Sequence, residues 1–307
     1  MNPFPGNSTT TGEGDGALLI AIASGKGGTG KTTIAVNLAL SLTGEVCLMD
    51  CDVEAPNTHL FLGAEPKKTE TVYKPVPRIN RDLCNGCGEC SSLCRYHAIA
   101  VLGGKAVAFN ELCHSCGGCA RVCPARAITT GALDVGVIEY RSHGTVSQIL
   151  GRLSAGKALP IPVIREVRKR TPRSGWTVID GPPGTSCPMT ASVKGSDYVI
   201  LVTEPTPFGL HDLQLAADVV RVFHIPFGVI INRSGPEDGM VEEYCRNGGI
   251  PILMSIPEDR RIAEAYSRGL ILVDSVPGMR ERFLALAGKI AERLVEKTGV
   301  RDREGGR

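Results

Sequence analysis

The sequence predicts an α/β protein with a mostly parallel sheet and helices on both of its faces. Short apolar runs bounded by turn or helix signals recur along the chain, as expected of strands that are buried on both sides. Stretches with apolar residues at helical spacing separate several of these runs, which is typical of strands joined by crossover helices. The strands are predicted at Ala17–Ala23, Val46–Met49, Thr177–Ile179, Tyr198–Val202, Phe227–Ile231 and Ile252–Ile256. The helices are predicted at Lys31–Leu42, Pro162–Arg170, Leu210–Phe223 and Pro277–Lys297.

Length and charge narrow the class of protein. The chain has 307 residues, enough for about two domains of roughly 100–200 residues each. It carries 34 Lys and Arg against 32 Asp and Glu, with no block of like charge, which disfavours a nucleic-acid partner. No apolar run reaches about 18 residues, so stable membrane insertion is not expected. Residues 1–16 do not resemble a secretion signal, and we expect a cytoplasmic protein with a disordered leader at 1–16 and a disordered tail at 299–307.

Cysteine is concentrated in one part of the chain. Eight of the 12 cysteines fall between Cys84 and Cys123. Within this stretch LCNGCGECSSLCRYHAIAV, from Leu83, matches LCHSCGGCARVCPARAITT, from Leu112, at a constant offset of 29 residues. In a reducing cytoplasm such clustered cysteines point to metal ligands before disulfides. The sequence therefore predicts a two-fold metal-binding module.

This repeat interrupts the β/α alternation from about Pro75 to Thr130. The alternation resumes beyond it, after a hairpin that we expect around Leu133–Leu153. We interpret residues 75–130, hereafter the cysteine-rich segment, as an inserted domain. The surrounding α/β domain is then formed by residues 17–74 and 131–298.

Each half of the repeat has the spacing C-x₂-C-x₂-C-x₃-C, which is typical of bacterial ferredoxins. Three closely spaced thiolates can wrap one iron–sulfur cubane, while the fourth begins a helix pointing away and ligates the other cubane. Two Cys₄ zinc sites are the alternative, but zinc knuckles usually have a longer gap between their pairs. The segment resembles an eight-cysteine ferredoxin, with Arg95 where the second half has Pro124. We expect a ferredoxin-like α+β domain with two [4Fe–4S] clusters, the first held by Cys84, Cys87, Cys90 and Cys123 and the second by Cys113, Cys116, Cys119 and Cys94.

A phosphate-binding loop follows the first predicted strand. Residues 25–32 satisfy G-x-x-x-x-G-K-[ST] and open a predicted helix, the context that this motif requires. Glycines allow successive backbone N–H groups to surround phosphate oxygens, and the helix N-terminus adds a partial positive charge. Lys31 is expected to reach the β- and γ-phosphates, and Thr32 to ligate Mg²⁺. The nucleotide-binding residues are predicted to be Gly25, Lys26, Gly27, Gly28, Thr29, Gly30, Lys31, Thr32 and Thr33. The alternative is a glycine-rich turn without a ligand.

A second lysine in this loop, Lys26, gives K-G-G-T-G-K-T-T. This sequence resembles the deviant Walker A motif of the MinD/Mrp/ParA ATPases, a family that includes the nitrogenase iron protein. The resemblance implies a homodimer that encloses ATP, in which Lys26 reaches the phosphates bound by the partner. Lys26 and Lys31 are then catalytic residues of an Mg²⁺-dependent ATPase.

Three further positions support this resemblance. Asp50 and Asp52 follow the second strand and look like the family's switch I, which implies that Asp52 positions the attacking water and Asp50 helps hold Mg²⁺. Asp180 follows another strand in DGPPGT, which looks like the family's Walker B and switch II and implies a place in the outer shell of the metal. Asn232 ends a strand where such proteins hold adenine, and is the candidate base reader. Each residue alone could merely cap a turn.

Cysteines outside the cysteine-rich segment have simpler interpretations. Cys187 follows switch II, where the nitrogenase iron protein has a cysteine that helps hold a cluster between protomers, but a buried structural thiol is the alternative. Cys47, Cys51 and Cys245 are expected to pack in the core. The apolar stripe of the C-terminal helix, which begins at Phe283, is expected to dock on the sheet instead of a membrane.

Three functions are compatible with these features. In the first, an ATP-dependent dimer switch gates electron delivery from the clusters to a metalloprotein partner, which fully cysteine-ligated cubanes favour. In the second, suggested by the Mrp resemblance, the protein is a scaffold or carrier that supplies a cluster acceptor. The third, a non-redox positioning ATPase like MinD or ParA, leaves the cysteines without a role.

Overall fold

A computed structural model describes the backbone of residues 17–304 and the side chains of residues 17–294; the predicted leader lies outside the described residues. The strands are β1 (Leu18–Ala23), β2 (Val46–Asp50), β3 (Lys68–Ile79), β4 (Ile99–Leu102), β5 (Lys105–Ala108), β6 (Ile128–His143), β7 (Val146–Leu153), β8 (Trp176–Asp180), β9 (Tyr198–Thr203), β10 (Phe227–Ser234) and β11 (Ile252–Pro257). The helices are α1 (Lys31–Ser41), α2 (Thr58–Leu62), α3 (Glu89–Leu93), α4 (Gly118–Val122), α5 (Ile161–Arg168), α6 (Cys187–Val193), α7 (Pro207–Val222), α8 (Gly239–Asn247), α9 (Arg260–Ser267), α10 (Leu272–Ser275) and α11 (Met279–Glu304).

Nine strands form one sheet in the order β11-β10-β9-β1-β8-β2-β7-β6-β3. All neighbouring strands from β11 to β7 are parallel, and β6 runs antiparallel to both β7 and β3. The β6–β7 hairpin matches the one predicted around Leu133–Leu153, although its first strand begins earlier. The fold class predicted from the sequence is therefore confirmed.

Two hydrophobic clusters cover the two faces of this sheet. Alternate residues of β1 enter opposite clusters, with Ile20 and Ile22 on one face and Ala21 and Ala23 on the other. Helices α1, α10 and α11 contribute to the first cluster, and α5, α6, α7 and α8 to the second. Phe283 of α11 is fully buried in the first cluster, so the C-terminal helix docks on the sheet as expected. Among the described residues, no helix combines the length and apolar character needed to span a membrane.

Several element boundaries differ from the predictions. Helix α7 begins at Pro207, where the Thr206 hydroxyl accepts a hydrogen bond from the Gly209 N–H and caps the helix. Helix α11 continues to Glu304, beyond the predicted start of the tail at residue 299, and residues 305–307 lie outside the described residues. Strand β3 was not predicted, because Pro75 and Pro77 read as strand breakers. It lies at the edge of the sheet, where a missing N–H is tolerated.

The cysteine-rich segment is continuous with the large sheet. Strands β3 and β6 cross its predicted boundaries at residues 75 and 130 and remain paired to their ends, where Ile79 lies opposite Ile128. Between them lie the hairpin β4–β5, helices α3 and α4, and a turn of 3₁₀ helix at Asn110–Leu112. The chain thus enters and leaves the segment at adjacent points of one antiparallel ladder.

The sequence repeat in this segment is also a repeat of backbone conformation. Helices α3 and α4 occupy equivalent positions in the two halves. His97 and its counterpart Arg126 have φ values of 50° and 49°, and Gly86 and its counterpart Ser115 have 73° and 61°. Left-handed conformations at non-glycine residues are uncommon, so their recurrence at matched positions supports a two-fold arrangement.

Candidate nucleotide and cysteine sites

The phosphate loop joins β1 to α1 at the carboxyl edge of the parallel strands. Its backbone requires glycine at several positions. Gly28 and Gly30 have φ values of 79° and 93°, in the region that favours glycine. A Cβ atom on Gly25 would lie 2.1 Å from the carbonyl oxygen of Asp212, so a side chain has no space there. The glycines therefore allow the left-handed turns of this loop and its close packing against α7.

Lys31 lies almost fully buried beneath this loop. Its Nζ donates to the carbonyl oxygen of Lys26 at 3.4 Å. Burial lowers the pKa of Lys31, while the charges of Asp180 and Asp52 raise it. An ammonium held there by backbone and carboxylates is suited to an anionic phosphate ligand.

Asp180 ends β8 directly below the helix that the loop opens. The Thr32 hydroxyl donates to Asp180 Oδ2 at 2.7 Å. Asp180 Oδ1 is buried and has no hydrogen-bond partner among the described residues. Burial raises the pKa of Asp180 well above its usual value, with the nearby charge of Asp50 as the next cause. A buried carboxylate oxygen beside a threonine hydroxyl is the donor chemistry that Mg²⁺ takes in nucleotide sites, so these residues fit the expected cation.

Asp50 lies opposite Asp180 in the β2–β8 ladder, but its oxygens are already used within the protein. Asp50 Oδ2 accepts hydrogen bonds from the Asn57 N–H, the Thr58 N–H and the Thr58 hydroxyl, at 3.1, 3.1 and 2.7 Å. Gln148 Nε2 in turn donates to the Thr58 hydroxyl at 2.7 Å. Burial raises the pKa of Asp50 to about 6. In this conformation Asp50 orders the loop after β2, and its expected contribution to Mg²⁺ binding stays a prediction.

Asp52 belongs to the same loop and is half-buried. Burial raises the pKa of the Asp52 carboxyl, and the charge of Lys31 lowers it. Asp52 therefore lies close enough to the phosphate loop for its charge to interact with that of Lys31. The predicted role of Asp52, to position the attacking water, requires such a place.

Lys26 is held by a carboxylate of its own chain. Glu204 follows β9 and has a side chain that is only 10% exposed, and it pairs with Lys26 Nζ at 3.0 Å and with Arg233 Nη1 at 2.7 Å. Sequence reasoning missed Glu204, although a polar residue after a buried strand is the signal that identified Asp50 and Asp180. In the described conformation the Lys26 ammonium therefore forms an ion pair within its own chain.

Asn232 braces the phosphate loop. Its Nδ2 donates to the Thr29 carbonyl oxygen at 2.8 Å. A Cβ atom on Gly30 would lie 2.5 Å from the same nitrogen, which explains the glycine. The structure brings Asn232 to the predicted site, where its contact is to protein backbone; base reading stays a prediction.

The eight cysteines of the cysteine-rich segment line two cavities, and Cys90 lines both of them. The larger, about 340 Å³, is lined by Cys94 together with Cys113, Cys116 and Cys119 from the other half of the repeat, and also by Cys90. The smaller, about 10 Å³, is lined by Cys84, Cys87, Cys90 and Cys123. Each fourth cysteine thus lies with the first three of the opposite half, which is the crossed grouping expected from the sequence.

Backbone N–H groups point at several of these sulfur atoms. The Ala98 N–H donates to Cys94 Sγ and, at the equivalent position, the Ala127 N–H donates to Cys123 Sγ, both at 3.3 Å. Hydrogen bonds from the backbone of Ala106 and Gly86 lower the pKa of Cys84. Donors of this kind stabilise thiolates, so the donor set fits iron–sulfur ligation. Within residues 17–294, no three His, Cys, Asp or Glu side chains form a site for a single metal ion.

The remaining cysteines lie outside both cavities. Cys47, Cys51 and Cys245 are buried, as expected, and burial raises the pKa of Cys47 to about 12 and that of Cys245 to about 11. Cys187 is exposed at the start of α6, so the interpretation of Cys187 as a buried structural thiol is wrong.

Comparisons with known proteins agree with this architecture. A family model described as "CobQ/CobB/MinD/ParA nucleotide binding domain" matches residues 20–273. An uncharacterised protein of Methanocaldococcus jannaschii is 32% identical over 280 residues, covering 90% of this chain and 97% of that protein. An iron–sulfur cluster carrier protein of the same organism is 26% identical over 300 residues, covering 91% and 84%. The septum site-determining protein MinD of Pyrococcus horikoshii, solved with Mg-ADP, has the same fold, with a TM-score of 0.55 at 22% identity, covering 89% of this chain and 96% of that chain.

Proposed function

This chain belongs to the CobQ/CobB/MinD/ParA nucleotide-binding family, and on that premise we propose that it is an ATP-hydrolysing iron–sulfur protein. ATP-driven closure of a homodimer gates electron delivery from two [4Fe–4S] clusters to a metalloprotein partner. The observation that carries this proposal is the crossed grouping of eight cysteines in a segment whose two strands continue into the nucleotide-binding sheet.

In the nucleotide site, each residue has a role that its contacts support. Lys31 binds the β- and γ-phosphates, and Thr32 with Asp180 holds Mg²⁺. Asp52 orients the water that attacks the γ-phosphate. Lys26 leaves Glu204 and completes the site of the partner subunit, where its charge stabilises the transition state. The nucleotide therefore controls whether the two protomers are joined.

In the cysteine-rich segment, the thiolates and their N–H donors hold the two clusters, which supply one-electron transfer when bound. The grouping by cavity supports Cys123 in the first set of ligands and Cys94 in the second. Because all eight ligands are cysteines, no weak ligand is built in for release of a cluster, which favours electron transfer over cluster transfer.

A chain of backbone contacts links the two sites. The loop after β2, ordered by Asp50, reaches β7 through a hydrogen bond from the Leu153 N–H to the Val53 carbonyl at 2.8 Å. Strand β7 pairs with β6, and β6 pairs with β3. A change at the loop on ATP hydrolysis thus has a short route of packed strands to the clusters.

A second candidate function is supported by the relative named as an iron–sulfur cluster carrier. In that function the protein transfers a cluster to an acceptor. Cys87 and Cys116, which are exposed and equivalent in the repeat, are then the first ligands to exchange with the acceptor.

The first experiment measures metal content. Anaerobically purified protein should contain about eight iron and eight sulfide per chain. Cys94→Ala should disturb the cluster otherwise held by Cys113, Cys116 and Cys119, and Cys245→Ala serves as a control that alters a buried cysteine outside the cavities. Zinc in place of iron, or about four iron in the native chain, contradicts the two-cluster proposal.

The second experiment separates the candidate functions. A redox titration with and without MgATP should show a nucleotide-dependent shift of cluster potential if electron delivery is gated. Incubation with an apo-ferredoxin should leave the iron on this protein. Iron appearing in the acceptor, with potentials unaffected by MgATP, supports the carrier function instead.

A further inference from the structure

Lys74 occupies a position in β3 where an apolar residue is expected. The strand alternates between the core and solvent, and Val72, Lys74 and Val76 are its consecutive buried residues. The Lys74 side chain is only 3% exposed. Full burial of a lysine is rare and costly unless its charge finds a partner, so this position calls for an explanation.

The contacts of Lys74 provide hydrogen-bond acceptors but no negative charge. Its Nζ donates to the carbonyl oxygen of Cys113 at 2.8 Å and to that of Glu111 at 3.5 Å. The Glu111 carboxylate is paired with Lys157 at 2.9 Å, and no ion pair of Lys74 is found among residues 17–294. Lys74 is thus a buried cation that touches the first cysteine of the second run and has no neutralising carboxylate of its own.

The other half of the repeat contains a matching contact. Lys105 Nζ donates to the carbonyl oxygen of Cys84, the equivalent of Cys113, at 2.6 Å. The two lysines are not equivalent in sequence, because Lys105 belongs to the hairpin β4–β5 and Lys74 to the edge strand of the large sheet. Lys105 is also only half-buried, so solvent screens its charge more than that of Lys74.

We propose that Lys74 is the counterion of cluster two and raises its reduction potential, with Lys105 as a weaker counterpart at cluster one. The proposal deepens the two-cluster function above and rests on it. Lys74 acts through its charge and does not ligate iron, so it is a positioning residue and not a ligand.

The sign follows from the charge balance of reduction. One electron from a one-electron reductant such as dithionite makes the cluster with its four thiolates more negative by one, and no bond forms or breaks. A buried cation beside Cys113 stabilises this more negative state, because the local dielectric is low and screening is weak. The exposed Arg95, beside Cys94, is screened by solvent and has a smaller effect.

The test uses the full chain, purified anaerobically, with Lys74→Met and its matched control Lys105→Met. Iron and sulfide are measured first, since a native chain without two clusters defeats the underlying function and not the role of Lys74. EPR-monitored titration should then show that Lys74→Met lowers the midpoint potential of one cluster by about 59 mV. For one electron this is about a tenfold change in the equilibrium constant of reduction. Lys105→Met should lower the other midpoint by less. Cys87→Ser should alter the EPR signal of cluster one and Cys116→Ser that of cluster two, so that each midpoint is assigned to a cluster.

Two outcomes overturn the proposal directly. In the first, Lys74→Met has full iron content and both midpoint potentials are unchanged. In the second, Lys74→Met shifts the midpoint potential of cluster one instead of that of cluster two. If Lys74→Met loses iron, Lys74→Gln and Lys74→Arg separate charge from packing. Full iron in the Arg variant but not in the Gln variant supports a required positive charge. Loss of iron in both variants, or full iron and a native potential in Lys74→Gln, refutes the counterion role.

Discussion

At the scale of single residues, Glu204 explains how the two lysines of the phosphate loop can differ. Lys31 is buried under its own loop, whereas Lys26 extends to Glu204 and shares that carboxylate with Arg233. One lysine is therefore fixed in the site of its own protomer. The other is held by an ion pair that, in the proposed dimer, is exchanged for a phosphate bound by the partner subunit.

We expect the two lysine variants to fail at different steps. Lys31→Ala should weaken ATP binding, because a charge-assisted contact to phosphate is lost. Lys26→Ala should leave ATP binding largely intact but abolish ATP-induced dimerisation and hydrolysis. Nucleotide titration and analytical ultracentrifugation with MgATP measure these effects. A monomeric Lys26→Ala protein with full ATPase activity would contradict the proposal that Lys26 acts across a dimer.

Glu204→Gln tests whether the contact with Lys26 restrains dimerisation. The ion pair is partly buried, so its loss should favour release of Lys26 by about 1 kcal/mol, or about fivefold in the ATP-dependent dimerisation constant. Arg233→Gln is the matched control, because it removes the other cation and leaves Glu204 to Lys26 alone. Weaker dimerisation of Glu204→Gln would mean that Glu204 presents Lys26 to the partner instead of restraining it.

At the scale of elements, the edge strand β3 depends on a polar network. Glu70 accepts hydrogen bonds from Arg170 at 2.8 Å and from the Tyr140 hydroxyl at 2.9 Å, and pairs with Lys68 at 2.6 Å. Arg170 lies just beyond α5, and Tyr140 belongs to β6. The network therefore joins the strand that enters the cysteine-rich segment to two neighbouring elements.

Acid should weaken this attachment. Hydrogen bonds from Lys68 and Arg170 lower the pKa of Glu70 to about 2, below its ordinary value. Stability from Glu70 is therefore present above about pH 4.5 and is lost as pH falls toward 2. Glu70→Gln should reduce the free energy of unfolding at pH 7 by about 0.5–1 kcal/mol, and the deficit should shrink below about pH 3. Urea denaturation across this pH range measures it, with the exposed Glu237→Gln as control; a deficit independent of pH would contradict this role for Glu70.

Strands and helices were easier to predict from the sequence where they are buried in the core than where they lie at the edge of the sheet or on the surface. Strands such as β1 and β9 are buried on both faces, so their composition alone located them within a residue or two. Strand β3 was missed because Pro75 and Pro77 occur in it. Helix α9 was missed because its polar and charged residues are as numerous as its apolar ones.

The residues of the candidate sites also differ in how well the sequence predicts them. The phosphate loop and the cysteine runs were predicted because their residues are contiguous in the chain and have fixed spacings. Glu204 and Lys74 were missed because their contacts, with Lys26 and with the Cys113 carbonyl, join residues that are far apart in sequence. Thr58 was missed because its hydrogen bonds to Asp50 depend on the conformation of the loop after β2. The buried Val72-Lys74-Val76 alternation was a signal for Lys74, but only once β3 is known to be a strand.

At the scale of the whole molecule, one sheet connects the two kinds of site. The nucleotide residues lie at the carboxyl ends of its central parallel strands, and the cysteine-rich segment extends from its antiparallel edge. Between them, the loop after β2 and strand β7 are joined by backbone hydrogen bonding. The sheet is therefore continuous from the candidate nucleotide site to the cysteine-rich segment, which is the connection that the proposed switch requires.

The adjacent ends of β3 and β6 make the cysteine-rich segment a removable cassette. The Asn80 N–H donates to the Ala127 carbonyl at 2.8 Å, immediately beyond the pair Ile79 and Ile128. An Asn-Gly turn in place of residues 80–127 would close these strands as an ordinary β-hairpin. The ladder geometry thus predicts that a turn can replace the cysteine-rich segment without breaking the large sheet, and that the segment can be grafted onto another antiparallel hairpin.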